Sequence, residues 1–533
     1  MADKVTESIN AVGEVSGGIT DLARNLIVEV INPADAASLG FITPHLTIIF
    51  GALFILIVGL WIKNRKLHTI SAIVFLAIAA CFNCKLSGTD SVSIFSSLMV
   101  FDPMGSFLTY FSIFSLALVV LLSHKSKQIY EDRYSDYLSI VLALGSALLF
   151  MGQATHFLLV YLALETLSIL SFTLAGFQKE DSKSSEASLK YVVYGALASG
   201  IMLYGISLMF GITGTLTFSG LQSFFVSNQI ASTNIIFWVS ILMILSGVAY
   251  KISAFPFHMW TPDVYEGAPT PVTTLFSVAP KAAGLILMGR FLYSGLSTEF
   301  FQAAGGTSSG LSAVIIFVAI MTMTIGNLSA LAQTSVKRIL AYSAIAHAGY
   351  MLMGFSIDNS GGVYAVIFYL IIYCLMNIGA FWVTSKIEQA YKNDHVNSFN
   401  GLIRSHPFYA ITMTIFLCSL IGLPPFVGFI GKYQLFLVAI KNNLFSLVVI
   451  ASINSVVSLY YYMKIVRAMI LNSPNASEDS EKSRVFTQSV FNCSLSKVVL
   501  VLLAIPNLLW GMGIGLDKVI IWAKKSAQIL GGF

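Results

Sequence analysis

Apolar runs of membrane-spanning length, separated by short polar connections, follow one another along the chain from residue 44. A helix of about 20 apolar residues crosses a bilayer, and this rule predicts about fourteen spans. Their limits are 44–62, 69–84, 104–123, 137–154, 156–177, 189–211, 235–259, 270–293, 311–334, 338–356, 361–384, 408–440, 443–471 and 497–522. The pattern therefore predicts an all-α polytopic membrane protein, preceded by a polar segment at 1–43 with a short amphipathic piece at 22–31.

The composition is also that of a membrane protein. Of the 533 residues, 56% are hydrophobic and only 10% are charged, whereas soluble domains carry about 25% charged residues. The polar start of the chain, which lacks a leading apolar region, does not predict a cleavable signal peptide. The net charge of +5 identifies no partner, because the placement of Lys and Arg sets orientation in membrane proteins. We expect contact with the lipid bilayer and none with nucleic acid.

Lys and Arg are concentrated in the loops after odd-numbered spans. The loops after even-numbered spans hold Lys85, Arg290 and Lys441. Such a bias places the odd loops in the cytoplasm, and with them both termini outside it. Three basic residues near the C-terminus oppose this orientation: Lys518, Lys524 and Lys525.

Proline interrupts the seventh and twelfth predicted spans. The seventh carries Lys251 followed by Pro256, and the twelfth carries the pair Pro424 and Pro425 followed by Lys432. A proline inside a helix removes a backbone hydrogen bond and kinks or breaks the helix. Irregular backbone at membrane depth is tolerated where protein or a water-filled cavity covers it. We therefore expect the break near Pro256 to let water reach Lys251.

The two interrupted spans recur at a fixed offset. Lys251 and Lys432 are 181 residues apart, and the same offset carries Glu165 to Ala346, beside His347. Corresponding interrupted helices in two halves of a chain are typical of transporter repeats. The spacing predicts two five-helix repeats, which lie inverted in the membrane because each holds an odd number of spans, with helices 7 and 12 discontinuous.

The predicted organisation has five parts. They are the polar segment at 1–43, helices 1–3 at 44–136, a first repeat (helices 4–8) at 137–310, a second repeat (helices 9–13) at 311–472, and a cytoplasmic loop with helix 14 at 473–533.

Charged side chains inside the spans are the candidate functional residues. A charge at the bilayer centre costs about 2.5–3.5 kcal/mol on insertion scales, so intramembrane ionisable residues are usually functional. Lys251, Lys281 and Lys432 lie far from either predicted interface. A lysine withdrawn from water can alternate between its charged and neutral forms. These three lysines therefore indicate an ion pathway, although a structural role is the alternative.

Three further residues have two interpretations each. Glu165 is either a proton-titrating carboxylate or a structural hydrogen-bonding residue. Lys190 either extends to the interface along its apolar stem or pairs with Glu165. His347 either packs against a serine or relays protons, since its side chain titrates near physiological pH. Three residues in the connection after the seventh span are interpreted as interfacial: His258, Asp263 and Glu266.

The cysteines do not predict a metal or redox site. Cys81 and Cys84 form one C-x-x-C pair, and the other three cysteines are scattered. An iron–sulfur or zinc site needs about four ligands at clustered spacing. The chain also has no dinucleotide-binding or phosphate-binding loop motif in the required context. We expect no cofactor and no metal in this chain.

Three segments resemble a known family. They read KISAFPFHMWTPDVYEGAPTPV, SVKRILAYSAIAHAGYMLMG and GLPPFVGFIGKYQLF. They are similar to the subunit N (subunit 2) family of the proton-pumping NADH–quinone oxidoreductase, respiratory complex I. The related antiporter-like subunits M and L carry PFHTWLPDA-like or PLHTWLPDA-like versions of the first segment. The resemblance extends over about residues 44–525 and implies fourteen helices, inverted repeats and discontinuous helices 7 and 12.

The resemblance also implies roles and partners. In the family a glutamate of the fifth helix pairs with a lysine of the sixth, which correspond to Glu165 and Lys190. Two central lysines and one of the twelfth helix correspond to Lys251, Lys281 and Lys432. The expected partners are antiporter-like M/L-type and small K/J/A-type membrane subunits. NAD, FMN, iron–sulfur clusters and quinone are expected in partner subunits, and the implied location is the cell inner (plasma) membrane.

We therefore predict a proton channel that is driven by quinone reduction in other subunits. The predicted relay runs from the Glu165–Lys190 pair through Lys251 and Lys281, then through His347 to Lys432. Each step would be a change in proton affinity caused by a neighbouring charge. The alternatives are a stand-alone or Mrp-like sodium/proton antiporter subunit and a scaffold that transports nothing.

Overall fold

The computed structural model describes residues 38–87, 91–227, 235–296, 310–356, 360–473 and 490–527. The predicted amphipathic piece at 22–31 lies outside these residues. The helices are α1 Thr43–Gly59, α2 Arg65–Leu86, α3 Pro103–His124, α4 Tyr134–Gln153, α5 Phe157–Ala175, α6 Ser182–Thr213, α7 Phe218–Ser227, α8 Ile235–Ile252, α9 Trp260–Gly267, α10 Thr270–Arg290, α11 Gly310–Leu331, α12 Val336–Leu352, α13 Ser360–Tyr391, α14 Leu402–Ser405, α15 Pro407–Ile421, α16 Val427–Lys441, α17 Phe445–Ile470, α18 Ser494–Leu509 and α19 Leu516–Ala527.

The remaining regular structure is short. Single turns of 3₁₀-helix occupy Glu131–Arg133, Met353–Ser356 and Val396–Phe399, and a π-helical turn, Phe291–Gly295, follows α10. Strands β1 Val92–Ile94 and β2 Met99–Phe101 form an antiparallel hairpin in which Val92 pairs with Phe101. The hairpin was not predicted, and it is a small addition to an otherwise helical chain.

The helix lengths agree with most of the predicted spans. Among the described residues, eleven helical segments are long and apolar enough to cross a membrane, and three shorter apolar helices are α1, α15 and α18. Together they correspond to predicted spans 1–14, with α15 as the first half of span 12. The total of fourteen crossings and the inverted repeat remain predictions.

The seventh predicted span is broken around Pro256, as predicted, and the break begins before the proline. Helix α8 ends at Ile252, four residues before Pro256, and α9 begins at Trp260. Ser253 has a positive φ of 64°, which ends the helix because L-residues seldom continue a helix from that conformation. Lys251, predicted to lie near the middle of the span, therefore lies in the last turn of α8.

The twelfth predicted span consists of two half-helices that touch closely. Helix α15 ends at Ile421 and is followed by Gly422, whose φ is 86°, a conformation that glycine adopts without strain. Helix α16 begins at Val427. A Cβ on Gly428 would lie 1.7 Å from the carbonyl oxygen of Ser419, so only glycine allows this approach of α16 to α15.

The prediction of a single helix over residues 497–522 was wrong. Helix α18 ends at Leu509, and α19 begins only at Leu516. Gly513 and Gly515, with φ of 82° and 74°, lie in the segment that separates α18 from α19 and end the helical path there. Helix α19 alternates Lys with apolar residues at helical spacing, which is typical of a helix lying in a membrane interface.

The centre of the bundle is built from α10, α12 and α13, which are almost completely buried. A helix that is apolar around its whole circumference is expected to be buried on all sides. Helix α10 packs on α3, α8 and α13, while α12 packs on α9, α11 and α13. Side chains on α10 and α12 are therefore withdrawn from both water and lipid, and these two helices carry Lys281 and His347.

Candidate functional site

Lys251 is buried at the end of α8. Its side chain is 1% exposed, and its Nζ donates a hydrogen bond to Ser168 Oγ on α5 at 3.1 Å. The rings of Tyr191 and Tyr250 lie 5.6 and 5.9 Å from Nζ. Ser168 is one turn after Glu165 on the same helix, and Glu165 is within electrostatic range of Lys251. The structure thus places Glu165 one turn before the hydrogen-bond partner of Lys251.

The break next to Lys251 adjoins a cavity of about 240 Å³, lined largely by apolar residues of α8, α10, α11 and the break itself. Ser246 is the polar exception, and Lys251 is not part of the lining. The break comprises residues 253–259, in which Ser253 and His258 are buried polar side chains. Access of water to Lys251 through the break remains a prediction.

Lys281 is fully buried on α10. Its Nζ donates to the carbonyl oxygen of Ala344 on α12 at 2.7 Å, and the ring of Tyr265 on α9 lies 5.9 Å away. Helices α10 and α8 pack closely near Lys281 and Lys251. A Cβ on Gly284, one turn after Lys281, would lie 3.8 Å from Cβ of Lys251. The two lysines therefore lie on facing surfaces of α8 and α10.

His347 lies one turn after Ala344 on α12, in a cage of hydroxyl groups. Its Nδ1 is 2.7 Å from the hydroxyl of Tyr369, and its Nε2 is 3.3 Å from the hydroxyl of Tyr462. Tyr462 also hydrogen-bonds Ser343. A neutral imidazole has one donor and one acceptor nitrogen, and both have a hydroxyl partner here. The structure thus satisfies both ring nitrogens with groups that can exchange protons.

The side chain of Lys432 binds at the break between α15 and α16. Its Nζ donates to the carbonyl oxygen of Ile421 at 2.8 Å and to Ser455 Oγ at 3.0 Å. The last carbonyl groups of a helix have no partner inside the helix, and the end of α15 leaves that of Ile421 free for the lysine. The ring of Tyr350 lies 4.8 Å from Nζ. His347 is within electrostatic range of both Lys432 and Lys281.

The expected Glu165–Lys190 pair is absent from this conformation. Lys190 instead forms ion pairs of 2.7 Å with Glu186 on its own helix and with Asp263 on α9. None of the ion pairs within the described residues includes Glu165. The hydrogen bond from Ser188 Oγ to the carbonyl of Phe172 places Lys190 near the end of α5, whereas Glu165 lies in its middle.

The acidic residues of α9 are functional candidates that the sequence reasoning missed. Asp263 binds Arg338 at 2.8 Å as well as Lys190, and Glu266 binds Arg338 at 2.9 Å and Lys183 at 3.1 Å. We call this group, together with Glu186, the α9 charge cluster; it contains three cations and three anions. Asp263 and Glu266 are three residues apart, so both lie on one face of a helix. That spacing, inside an otherwise apolar stretch, was the available signal.

The α9 charge cluster joins the two halves of the chain. Lys190 belongs to α6 and Asp263 to α9, both in the predicted first repeat, whereas Arg338 begins α12 of the second. Arg338 Nε also donates to Gln333 Oε1, and Lys464 donates to the carbonyl of Gln333. The cluster lines a polar pocket of about 120 Å³ that is open at one end of the bundle. Its polar lining can hold water.

Comparison with known proteins agrees with the fold and with the motifs. The sequence profile of a family described as NADH:quinone oxidoreductase/Mrp antiporter, transmembrane, matches residues 154–458. The chain is 35% identical over 510 residues to NADH-quinone oxidoreductase subunit N of Anaeromyxobacter sp., an alignment that covers 92% of this chain and 96% of the relative. It is 40% identical over 460 residues to subunit N 2 of Sorangium cellulosum, covering 83% and 90%.

A solved structure leads to the same family. A chain of respiratory complex I from Thermus thermophilus with bound aureothin superimposes with a TM-score of 0.71 at 26% identity. The match covers 88% of this chain and 98% of that one. The similarity therefore extends beyond the central helices to most of this chain.

Proposed function

Because the chain belongs to the subunit N family of NADH-quinone oxidoreductase, and so is a multi-pass membrane subunit of a complex I-type enzyme, we propose that its line of buried basic residues carries protons through the membrane part of that complex. Lys251, Lys281, His347 and Lys432 occupy four helices that pack on one another. The observation that carries the proposal is the position of α12. It accepts the hydrogen bond from Lys281 at Ala344 and presents His347 one turn later.

The contacts support this order of the relay. Glu165 lies one turn before Ser168, the hydrogen-bond partner of Lys251, and Lys251 and Lys281 lie on facing surfaces of α8 and α10. The path then passes from Lys281 along α12 to His347. The ring of Tyr350 is 5.9 Å from the His347 ring and 4.8 Å from Lys432 Nζ. Hydroxyl groups and bound water between these residues would carry the proton itself.

A charge on one member changes the proton affinity of the next. Two unit charges about 8 Å apart interact by roughly 2 kcal/mol at an effective dielectric constant of 20. A difference of about 1.4 kcal/mol changes a proton equilibrium tenfold. At such a separation, the arrival of a proton at one group would therefore lower the proton affinity of its neighbour by about tenfold or more. Quinone reduction in partner subunits would start this sequence by moving or charging a group at one end.

The remaining features of the complex are part of the proposal. Electron transfer would use NAD, FMN, iron–sulfur clusters and quinone held by partner subunits, with no redox cofactor in this chain. The partners would be M/L-type and K/J/A-type membrane subunits in the cell inner membrane. A sodium/proton antiporter acting alone is less supported, because the relatives that match the chain over most of its length are named as subunit N.

The relay predicts that Lys432→Met stops proton transfer and leaves the fold intact. Methionine keeps the apolar volume of the stem but holds no proton. We expect proton uptake by reconstituted complex to fall by about tenfold or more, the scale of losing a proton-transfer group. Lys441→Met is the matched control, because Lys441 is on the same helix and exposed. Unchanged uptake in fully assembled Lys432→Met would contradict the relay.

A second expected result concerns Asp263→Asn. This change leaves the α9 charge cluster with one excess positive charge, which would repel protons that enter through the polar pocket of the cluster. Asp263 is 33% exposed, and ion pairs of exposed groups contribute only about 0–1 kcal/mol to stability. We therefore expect proton uptake to fall severalfold while the thermal unfolding temperature changes little.

The control for Asp263→Asn is Asp132→Asn, which breaks the exposed Lys63–Asp132 pair of 3.6 Å. Glu186→Gln, which removes the more exposed partner of Lys190, should have an intermediate effect. A structural role of Asp263 makes the opposite prediction: the assembled amount would fall, and uptake per assembled complex would be normal.

A further inference from the structure

An apolar groove crosses the surface formed by α2, α3 and α13, under α19. Its volume is about 600 Å³, within the range of small-molecule sites. The lining includes Ala77, Tyr110, Ala117, Cys374 and Trp522. Tyr110 and Ala117 are seven residues apart on α3, so the groove follows that helix for about 10 Å. Its shape is that of a channel for a flexible hydrocarbon chain lying along the helices.

Helix α19 marks one end of the groove. Its Trp522 lines the groove and packs against Phe107 of α3, with ring centroids 5.0 Å apart. Phe107 precedes Tyr110 by one turn, so α19 lies toward the start of α3, and the groove extends from there toward the middle of the bundle. Tryptophan is enriched where hydrocarbon meets the polar headgroups.

Basic residues surround that end. Lys524 lies 5.8 Å from the ring of Tyr364 near the start of α13, and Lys518 and Lys525 are exposed on the same short helix. Lys85 ends α2, the helix that supplies Ala77. None of these four lysines takes part in the ion pairs of the described residues.

These same lysines are exceptions to the positive-inside distribution. Among the other exceptions, Arg290 is neutralised by Asp102 at 2.8 Å. Among the described residues, Lys85, Lys518, Lys524 and Lys525 have no such partner, and the predicted orientation places them on the side of the membrane where basic residues are otherwise scarce. A bound anion would explain both their position and the absence of acidic partners within that part of the chain.

We propose that the groove binds one phospholipid with an anionic headgroup, whose acyl chain lies between α2, α3 and α13 and whose phosphate lies at the lysines of α19. The apolar walls exclude a polar ligand, and the cluster of cations selects a negative headgroup. A basic residue near an anionic lipid surface contributes about 1 kcal/mol, or roughly fivefold in binding. The bound lipid fastens α19 to the bundle and fills a surface that would otherwise be poorly packed.

The test uses the purified complex, delipidated and then incubated with equal amounts of deuterated phosphatidylglycerol and phosphatidylcholine. Mass spectrometry counts the lipid that each complex retains after washing. We expect selective retention of phosphatidylglycerol. Removing two charges in the Lys524→Gln/Lys525→Gln variant should weaken that retention about 25-fold, whereas Lys63→Gln/Lys66→Gln, two exposed lysines elsewhere, should leave it unchanged.

A second variant tests the hydrocarbon part of the site. Ala77 is exposed in the groove, so Ala77→Phe fills the groove without disturbing the core. It should lower retention of phosphatidylglycerol about tenfold, as bulk that fills a binding pocket does. Ala196→Phe, at an exposed position on α6, is the matched control. Equal retention of both lipids, unchanged retention in Ala77→Phe, or a protein segment found in the groove of the assembled complex would each overturn the proposal.

Discussion

Replacing Lys251 with alanine is expected to abolish or strongly reduce proton pumping in a complex that still assembles. Lys251 is buried and makes one side-chain hydrogen bond, to Ser168. Losing one such bond costs about 1 kcal/mol, and removing a buried charge recovers part of that cost. Alanine also removes the buried stem of the lysine and its contacts with the rings of Tyr191 and Tyr250, so some loss of stability from the cavity is expected. Pumping is therefore expressed per assembled complex.

The arginine variant distinguishes a titrating lysine from a structural one. Arginine keeps its charge under nearly all conditions, so Lys251→Arg should also pump poorly, because it cannot alternate between charged and neutral forms. A structural lysine predicts that arginine is tolerated and that alanine lowers the assembled amount. Quinone reduction and proton uptake are measured in reconstituted vesicles, with the assembled complex quantified beside them. Normal pumping by fully assembled Lys251→Ala would refute the role of this residue.

The fold was largely predictable because the bilayer imposes a minimum length on each apolar helix. The predictions failed where polar residues formed a helix that hydropathy treats as a loop, and where glycines ended a helix that hydropathy continues. Helix α9 contains Asp263 and Glu266 and so was not predicted to be helical. The last span was joined across Gly511, Gly513 and Gly515, although glycine at this density is a turn signal. Both errors come from reading apolar content without the backbone signals.

The site was predictable only in part. A charge inside an apolar run is visible in the sequence because its cost in the membrane is high, and this singled out Lys251, Lys281 and Lys432. The partner of a charge depends on how each helix is rotated about its axis, which spacing along the chain does not reveal. We therefore expected an ion pair between Lys190 and Glu165, whereas the structure pairs Lys190 with Asp263. The cage of hydroxyl groups around His347 comes from α13 and α17, far away in sequence.

The second large effect is expected at the buried ion pair between Arg290 and Asp102. Both side chains are 2% exposed, and their two hydrogen bonds are 2.8 and 2.9 Å long. Arg290 Nε also donates to the carbonyl of Gly152, and Asp102 accepts from the backbone N–H of Gly105 as the N-cap of α3. The pair therefore joins the end of α10 to the start of α3 and the end of α4.

Arg290→Met should prevent most of the protein molecules from folding and assembling. It leaves Asp102 as a buried carboxylate without a cation, and breaking a buried pair in this way costs about 3–5 kcal/mol, a large part of the stability of a typical domain. Asp102→Asn added to Arg290→Met should restore part of the loss, because the amide can still cap α3 and no charge remains unpaired. The measurement is the amount of folded chain and its unfolding temperature in detergent.

The exposed Lys63–Asp132 pair again supplies the control, since Lys63→Met should cost no more than about 1 kcal/mol. If Arg290→Met assembled as well as Lys63→Met, the pair would not hold α10 in place. If the double variant were as unstable as the sum of its single changes, the cost would lie in lost packing instead of in the unpaired charge. In the complexes that do assemble, proton uptake per quinone reduced should be normal, because the pair lies outside the line from Lys251 to Lys432.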